Sequence, residues 1–204
     1  MNVYEAFEIL QCAKKNGRKA VVGHIERYNP AVQALIADLK EQKILNCNIT
    51  RISPYPTRID DVGVKLDLAI HDIDLVRFIT GQNISIWATT KSSNVTYLED
   101  TASFFFDLSG GSTGMVFNSW MSPFRERRIK LMTTDAYYDI DMLRQQAIKH
   151  TSIDNGSYAT RSLFVRRTNA LEEQAKAFMN YIKTSNAGHL CSITDGMEAL
   201  KYVE

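Results

Sequence analysis

Between Ile84 and Leu143 the chain is a succession of short extended runs, ISIWATT, TASFFFDL, TGMVFNSW, RIKLMTT and YYDIDML, joined by short turns. This succession constrains the fold more than any other feature. Strands joined by short turns pair antiparallel, whereas a parallel pair needs a long crossover. In YYDIDML, Tyr138, Ile140 and Met142 face one way and Asp139 and Asp141 the other, the two-residue period of a half-buried strand. GGSTG, residues 110–114, lies between two of the runs. It lacks the GxGxxG spacing and no helix follows it, so it reads as a hairpin turn and not a phosphate loop. The series predicts an open, mainly antiparallel sheet with helices on one face and the other face free for a partner. Phe104, Phe106, Trp120 and Met132 exceed what one helical layer covers, which predicts a homo-oligomer formed through the open sheet face.

The first forty residues follow a different order. Val3, Ala6, Phe7, Leu10 and Ala13 recur at helical spacing before Gly17, and RKAVVGH reads as a short buried strand. Asn29 and Pro30 make a helix start, with Val32, Leu35, Ile36 and Leu39 as its apolar stripe. ILNCNITRIS, residues 44–53, is a further strand, and a helix over roughly 64–80 is stopped by Gly81. Two helices close the chain. Asn169 and Glu172 have capping-box spacing ahead of a stripe of Leu171, Ala175, Phe178 and Ile182, and Thr194 caps the last helix. The one composition shift lies near residue 42.

A chain of 204 residues holds one sizeable domain, or one domain and a fragment of another. Its formal net charge of +1 gives no reason to expect nucleic acid or an anionic membrane as partner. No apolar run approaches the length that spans a bilayer, and MNVYEAFEIL does not read as a secretory signal. Cys12, Cys47 and Cys191 are far apart and odd in number, with no CxxC pair, so free thiols in a reducing, cytoplasmic setting are expected.

Two stretches carry chemistry. DVGVKLDLAIHDIDLVRFITG, residues 61–81, puts Asp61, Asp67, Asp72, Asp74 and His71 into an apolar segment, although a carboxylate leaves water only at a cost. Asp67 and His71 are four apart and stack on one helix face. A carboxylate there would raise the imidazole pKa and fix its tautomer, making an acid/base unit that Asp74 could also orient. The same spacing fits a surface ion pair that only supports the helix. A metal is not expected, because no HxH, HExxH or second nearby histidine completes a site. GHIERYNP, residues 23–30, places His24, Glu26 and Arg27 at the C-terminal end of a strand, where open α/β sheets bind ligands. Arg27 fits equally a structural pair with a carboxylate.

VGHIERYNPAV followed some forty residues later by DVGVKLDLAIHDIDLVRFITG resembles the Gfo/Idh/MocA oxidoreductases. The second stretch, with the loop PYPTRID before it, is similar to members acting on nucleotide sugars, such as UDP-N-acetylglucosamine 3-dehydrogenases. The resemblance implies an NAD- or NADP-dependent enzyme that oxidises a hydroxyl of a sugar or nucleotide sugar. The GxxxDxxxH motif falls on Gly63, Asp67 and His71, with His71 the base and Asp67 its support. It also implies substrate contacts from Arg27, Asn29, Arg58 and Asp74 and a cofactor contact from His24. The family's GxGxxG and EKP motifs do not occur here. The expected fold class is therefore α/β: a partial Rossmann edge (helix-strand-helix) over residues 1–41, a remnant of the dinucleotide-binding domain, and an α+β substrate-binding and oligomerisation domain over 42–204. The chain alone is expected to be inactive. The alternative is a non-catalytic sugar-binding or oligomerisation module that has lost its redox half.

Overall fold

In a computed structural model, which describes residues 2–40, 42–154 and 156–204, the first element is α1, Val3–Lys15. Asn2 and Glu5 form a reciprocal capping box at its start, satisfying two backbone donors that the first turn leaves free. β1 is only Val21–Val22, and a single 3-10 turn, Ile25–Tyr28, joins it to α2, Pro30–Leu39. Asn29 caps α2 and Pro30 is its first residue, as the sequence predicts. The junction expected between the two domains falls at Glu41, which lies outside the described residues.

β2 spans Ile44–Ile52. The helix expected over 64–80 has two parts, a π turn at Lys65–Ala69 and α3 at Ile70–Thr80. Gly81 ends α3 at φ 63°, a left-handed conformation that costs a residue without Cβ little. The five expected runs are β3 (Ile84–Ser92), β4 (Thr101–Leu108), β5 (Thr113–Ser119), β6 (Glu126–Thr133) and β7 (Tyr137–Asp141). β8 (Gln146–Ser152) and β9 (Tyr158–Ser162) were not expected. Every residue of β9 is exposed, so it carries no apolar alternation to read.

The sheet runs in the order β3-β4-β5-β2-β6-β7-β8-β9. Every neighbouring pair is antiparallel except β2 with β5. Its inner face, with Cys47, Ile49, Phe104, Phe106, Ile129, Leu131, Tyr138 and Ile140, packs on α2 and α3 through Val32, Leu35, Ile73 and Val76. Burying one such side chain fully contributes roughly 1.5–3 kcal/mol. Phe104, Phe106 and Trp120 belong to this core at 0%, 1% and 2% exposure, so of the four residues expected on the open face only Met132 is there. Three successive phenylalanines straddle both faces, and Phe105 shares its face with the exposed Asp107. The open face instead carries Phe105 and Trp87, with ring centroids 5.6 Å apart.

The chain closes with α4 (Ala170–Thr184), β10 (Cys191–Ser192) and α5 (Ile193–Leu200). Asn169 caps α4 as expected, but the expected buried stripe is not buried: no residue of α4 is, and Leu171 is 62% exposed. Within the stripe only Phe178 is half-buried, where α4 meets the 3-10 turn. Ser192, and not Thr194, caps α5, in a capping box with Asp195. β10 pairs antiparallel with β1 and α5 packs on α1, which returns the end of the chain to its first element. No helix among the described residues is long and apolar enough to cross a membrane.

Candidate active site

The π turn and the start of α3 form one wall of a cleft of about 690 Å³ that contains Asp67, His71, Tyr55, Arg58, Trp120 and Arg125. Ring-widening π turns recur at functional sites because they re-aim side chains. Here the turn breaks the simple stacking expected of residues four apart. Asp67 lines the cleft beside His71, yet its carboxylate makes no hydrogen bond or ion pair among the described residues, with His71 or any other group. The partner of His71 is His24: the two Nδ1 atoms are 2.9 Å apart and the rings meet edge to face at 88°. His71 Nε2 is then the ring nitrogen left for the cleft.

The expected upward shift of the His71 pKa is reversed. Burial, then His24, then the Arg51 guanidinium push it down to about 4, against weaker opposing pulls from Asp72 and Glu26. His71 is thus a neutral imidazole at pH 7, able to accept a proton.

Beneath the cleft runs a buried charged chain. Arg51 grips Asp72 through Nε at 2.9 Å and Nη2 at 2.6 Å, and its Nη1 lies 3.3 Å from Glu26. Asn118 Nδ2 donates to Asp72 at 2.6 Å, and Arg127 reaches Glu26 from the cleft side at 2.6 Å. Burial would raise the Glu26 pKa, but Arg51, Arg127 and the bond from Asn29 outweigh it and hold the carboxyl below its ordinary range. Sequence reasoning singled out Glu26 and Asp72 but gave no role to Arg51, Asn118 or Arg127. The signal was the inward phase of Arg51 after Cys47 and Ile49, and of Asn118 after Gly114 and Val116.

The other predicted site residues, Arg58 apart, lie elsewhere. Arg27 and Asp74, expected at the substrate, form a bidentate pair at 2.8 and 2.6 Å with side chains only 8% and 1% exposed. Neither lines the cleft; their charges are satisfied by each other, which is the structural alternative for Arg27. Asn29 accepts from the Ala31 N–H and donates to Glu26 and to the Met142 carbonyl, so its polar atoms are spent on holding α2 in place. Arg58 does line the cleft. His24, expected at the cofactor, is 3% exposed and sits behind His71. His24, Asp74 and Cys191 bring ligand-type atoms within 4.8 Å of one another. Asp74 is already paired with Arg27, so a divalent ion bound to it would sit against the guanidinium, and no metal role is assigned.

This fold and these motifs have known counterparts. The family described as GFO/IDH/MocA C-terminal domain matches residues 41–144. The chain belongs to the Gfo/Idh/MocA family. It is 28% identical over 144 residues to UDP-N-acetylglucosamine 3-dehydrogenase of Acidithiobacillus ferrooxidans, covering 70% of this chain and 45% of that protein. It is 24% identical to the uncharacterized oxidoreductase YrbE of Bacillus subtilis, over 96% of this chain and 62% of that one. The chain thus spans between about half and two thirds of these relatives. The structure of the A. ferrooxidans enzyme superposes with a TM-score of 0.89 at 22% identity, over 100% of this chain and 65% of that one. A levoglucosan dehydrogenase in complex with NADH and L-sorbose superposes at 0.81 and 15% identity, over 99% of this chain and 65% of that one.

Gfo/Idh/MocA oxidoreductases generally use NAD(P). The described residues of this chain do not fit the pyrophosphate of such a cofactor. They include no Gly-rich strand-to-helix turn, and β1, two residues long, pairs only with β10. A dinucleotide cradle needs backbone N–H groups of that turn and a helix N-terminus behind them.

Proposed function

We propose that this Gfo/Idh/MocA chain is the substrate-binding part of an oxidoreductase that oxidises a hydroxyl of a nucleotide sugar. Residues 42–204 form the substrate domain and residues 1–41 the edge of the domain that holds NAD or NADP. His71 takes the hydroxyl proton at Nε2. Asp67, beside it in the cleft and without a partner, receives a sugar hydroxyl or stabilises the charged imidazole. The open sheet face, with Trp87 and Phe105, joins copies of the chain. Cys12, Cys47 and Cys191 are free thiols, which suits a reducing cytoplasm.

The observation that favours a nucleotide sugar over a free sugar is the state of the cleft arginines. Arg58 and Arg125 line the cleft and have no ion-pair partner among the described residues. Guanidinium groups bind phosphate oxygens with paired hydrogen bonds. The A. ferrooxidans relative, named for a UDP-sugar, supports the same reading. Calorimetric titration of the chain with UDP-N-acetylglucosamine, UDP and N-acetylglucosamine tests it. UDP-N-acetylglucosamine should bind at least tenfold tighter than the free sugar, and Arg58→Ala with Arg125→Ala should remove that advantage. Equal affinities for the two sugars, unchanged in the double variant, refute the nucleotide-sugar reading.

A further inference from the structure

The contact between His24 and His71 has a consequence for how a proton taken up in the cleft is stored. His24 comes from the bend after β1 and His71 from the first turn of α3, 47 residues apart in sequence. Their Nδ1 atoms, 2.9 Å apart, leave room for one proton between them. When that proton belongs to His71, its Nε2 is a bare acceptor facing the cleft, and His24 carries its own proton on Nε2. When it belongs to His24, His71 carries its proton on Nε2 and is a donor. The pair therefore switches His71 between base and acid by moving one proton along one hydrogen bond.

We propose that His24 is a positioning residue that works with His71 as a two-histidine proton relay. At rest His71 donates from Nδ1 to His24 Nδ1. As the substrate O–H bond breaks, its proton forms the N–H bond at His71 Nε2. The His71 Nδ1–H bond then breaks and the proton passes to His24 Nδ1. His71 ends neutral with its proton on Nε2, ready to return it, and the positive charge rests on His24. This relay rests on the reading of His71 as the group that takes the substrate proton.

The surroundings of the two rings differ in the direction the relay needs. Among fixed charges Arg51 acts most strongly on His71 and disfavours its charged form, with weaker opposition from Asp72 and Glu26, which are bound to that guanidinium. His24 has Asp74 as the strongest charge acting on it, and this carboxylate favours a positive imidazole, with a smaller contribution from Asp195 and opposition from Arg27. Burial disfavours charge on both rings. An Asp74 oxygen and a His24 ring nitrogen lie within 4.8 Å of each other. His24 Nε2 is buried with no hydrogen-bond partner among the described residues.

The test needs no turnover, so it fails separately from the assigned reaction. Long-range proton–nitrogen correlation of the 15N-labelled chain reports the tautomer of each of the four histidines. At pH 7 His71 should be protonated on Nδ1 and His24 on Nε2, with nitrogen–nitrogen coupling across the bond. On acidification the first proton should make His24, not His71, the imidazolium. In His24→Asn the amide oxygen replaces the Nδ1 acceptor, so His71 should keep its Nδ1–H tautomer but become the imidazolium itself. In His24→Phe the coupling and the fixed tautomer should both be lost. Finding both wild-type rings protonated on Nε2 at pH 7, or finding the first acid-state proton on His71 in the wild type, overturns the relay. An oxidation that proves absent from the assembled enzyme refutes the reading of the reaction instead.

Discussion

The depressed His71 pKa makes the stability of this fold sensitive to mild acid, in a window above the carboxylates. In the folded chain the imidazole is held neutral down to about 4, against an ordinary value of 6.5. Its folded pKa is the lower one, so the unfolded chain binds more protons between these values. The associated stability is complete above 6.5, falls as pH drops and stops falling below about 4. One proton bound only by the unfolded state costs about 1.4 kcal/mol per pH unit, so this group removes about 2 kcal/mol between pH 6.5 and 5, and roughly 3 kcal/mol by pH 4. His24 is lowered as well and steepens the slope in the same direction. Glu26, Asp38 and Asp100 have carboxyls held below their ordinary range and lose their partners only at lower pH. Urea unfolding followed by circular dichroism at pH 7, 6 and 5 gives the slope. The wild-type chain should lose at least about 2 kcal/mol from pH 6.5 to 5, and His71→Gln should lose less by about that amount. A wild-type stability that stays flat from pH 7 to 5, or an identical slope in His71→Gln, refutes the buried neutral imidazole.

Removing Arg27 from the Arg27–Asp74 pair should be costly, since among the described residues the surviving carboxylate is left with only the Cys191 S–H at 3.5 Å to bond it. Arg27→Met is expected to lose about 3–5 kcal/mol in urea unfolding, and Arg27→Met with Asp74→Leu to recover most of it; a single variant within 1 kcal/mol of wild type would show the pair to be solvated. The exposed Trp87–Phe105 pair should hold copies of the chain together, so light scattering should find an assembly that Trp87→Asp disperses. A strict monomer in the wild type contradicts that use of the open face. Fluorescence titration of the chain with NADH should show no saturable change at micromolar protein, because the described residues supply no pyrophosphate cradle; saturable binding would require a cofactor site not assigned here.

What the sequence made legible was local, and what it hid depended on distant register. Asn29-Pro30 at the start of α2, Gly81 at the end of α3 and the hairpin at GGSTG are decided by residues within a turn of each other, and each was found where expected. The His24–His71 contact joins residues 47 apart through the packing of α3 on the 3-10 turn, and no spacing rule reaches that far. Asp67 and His71 did have a spacing rule, and the π turn defeated it, because that rule assumes an unbroken α-helix. The buried charges lie between these cases. Periodicity puts Arg51 on the inner face of β2 with Cys47 and Ile49, and a guanidinium cannot stay there without carboxylates. Asp72 inside an apolar helix is the same problem with opposite sign. Asp72 and Arg51 answer each other at 2.6 Å, one residue from His71 in the cleft wall. Two misplaced charges of opposite sign in separate apolar elements are thus a long-range signal that local pattern reading discards, and here they mark the floor of the site.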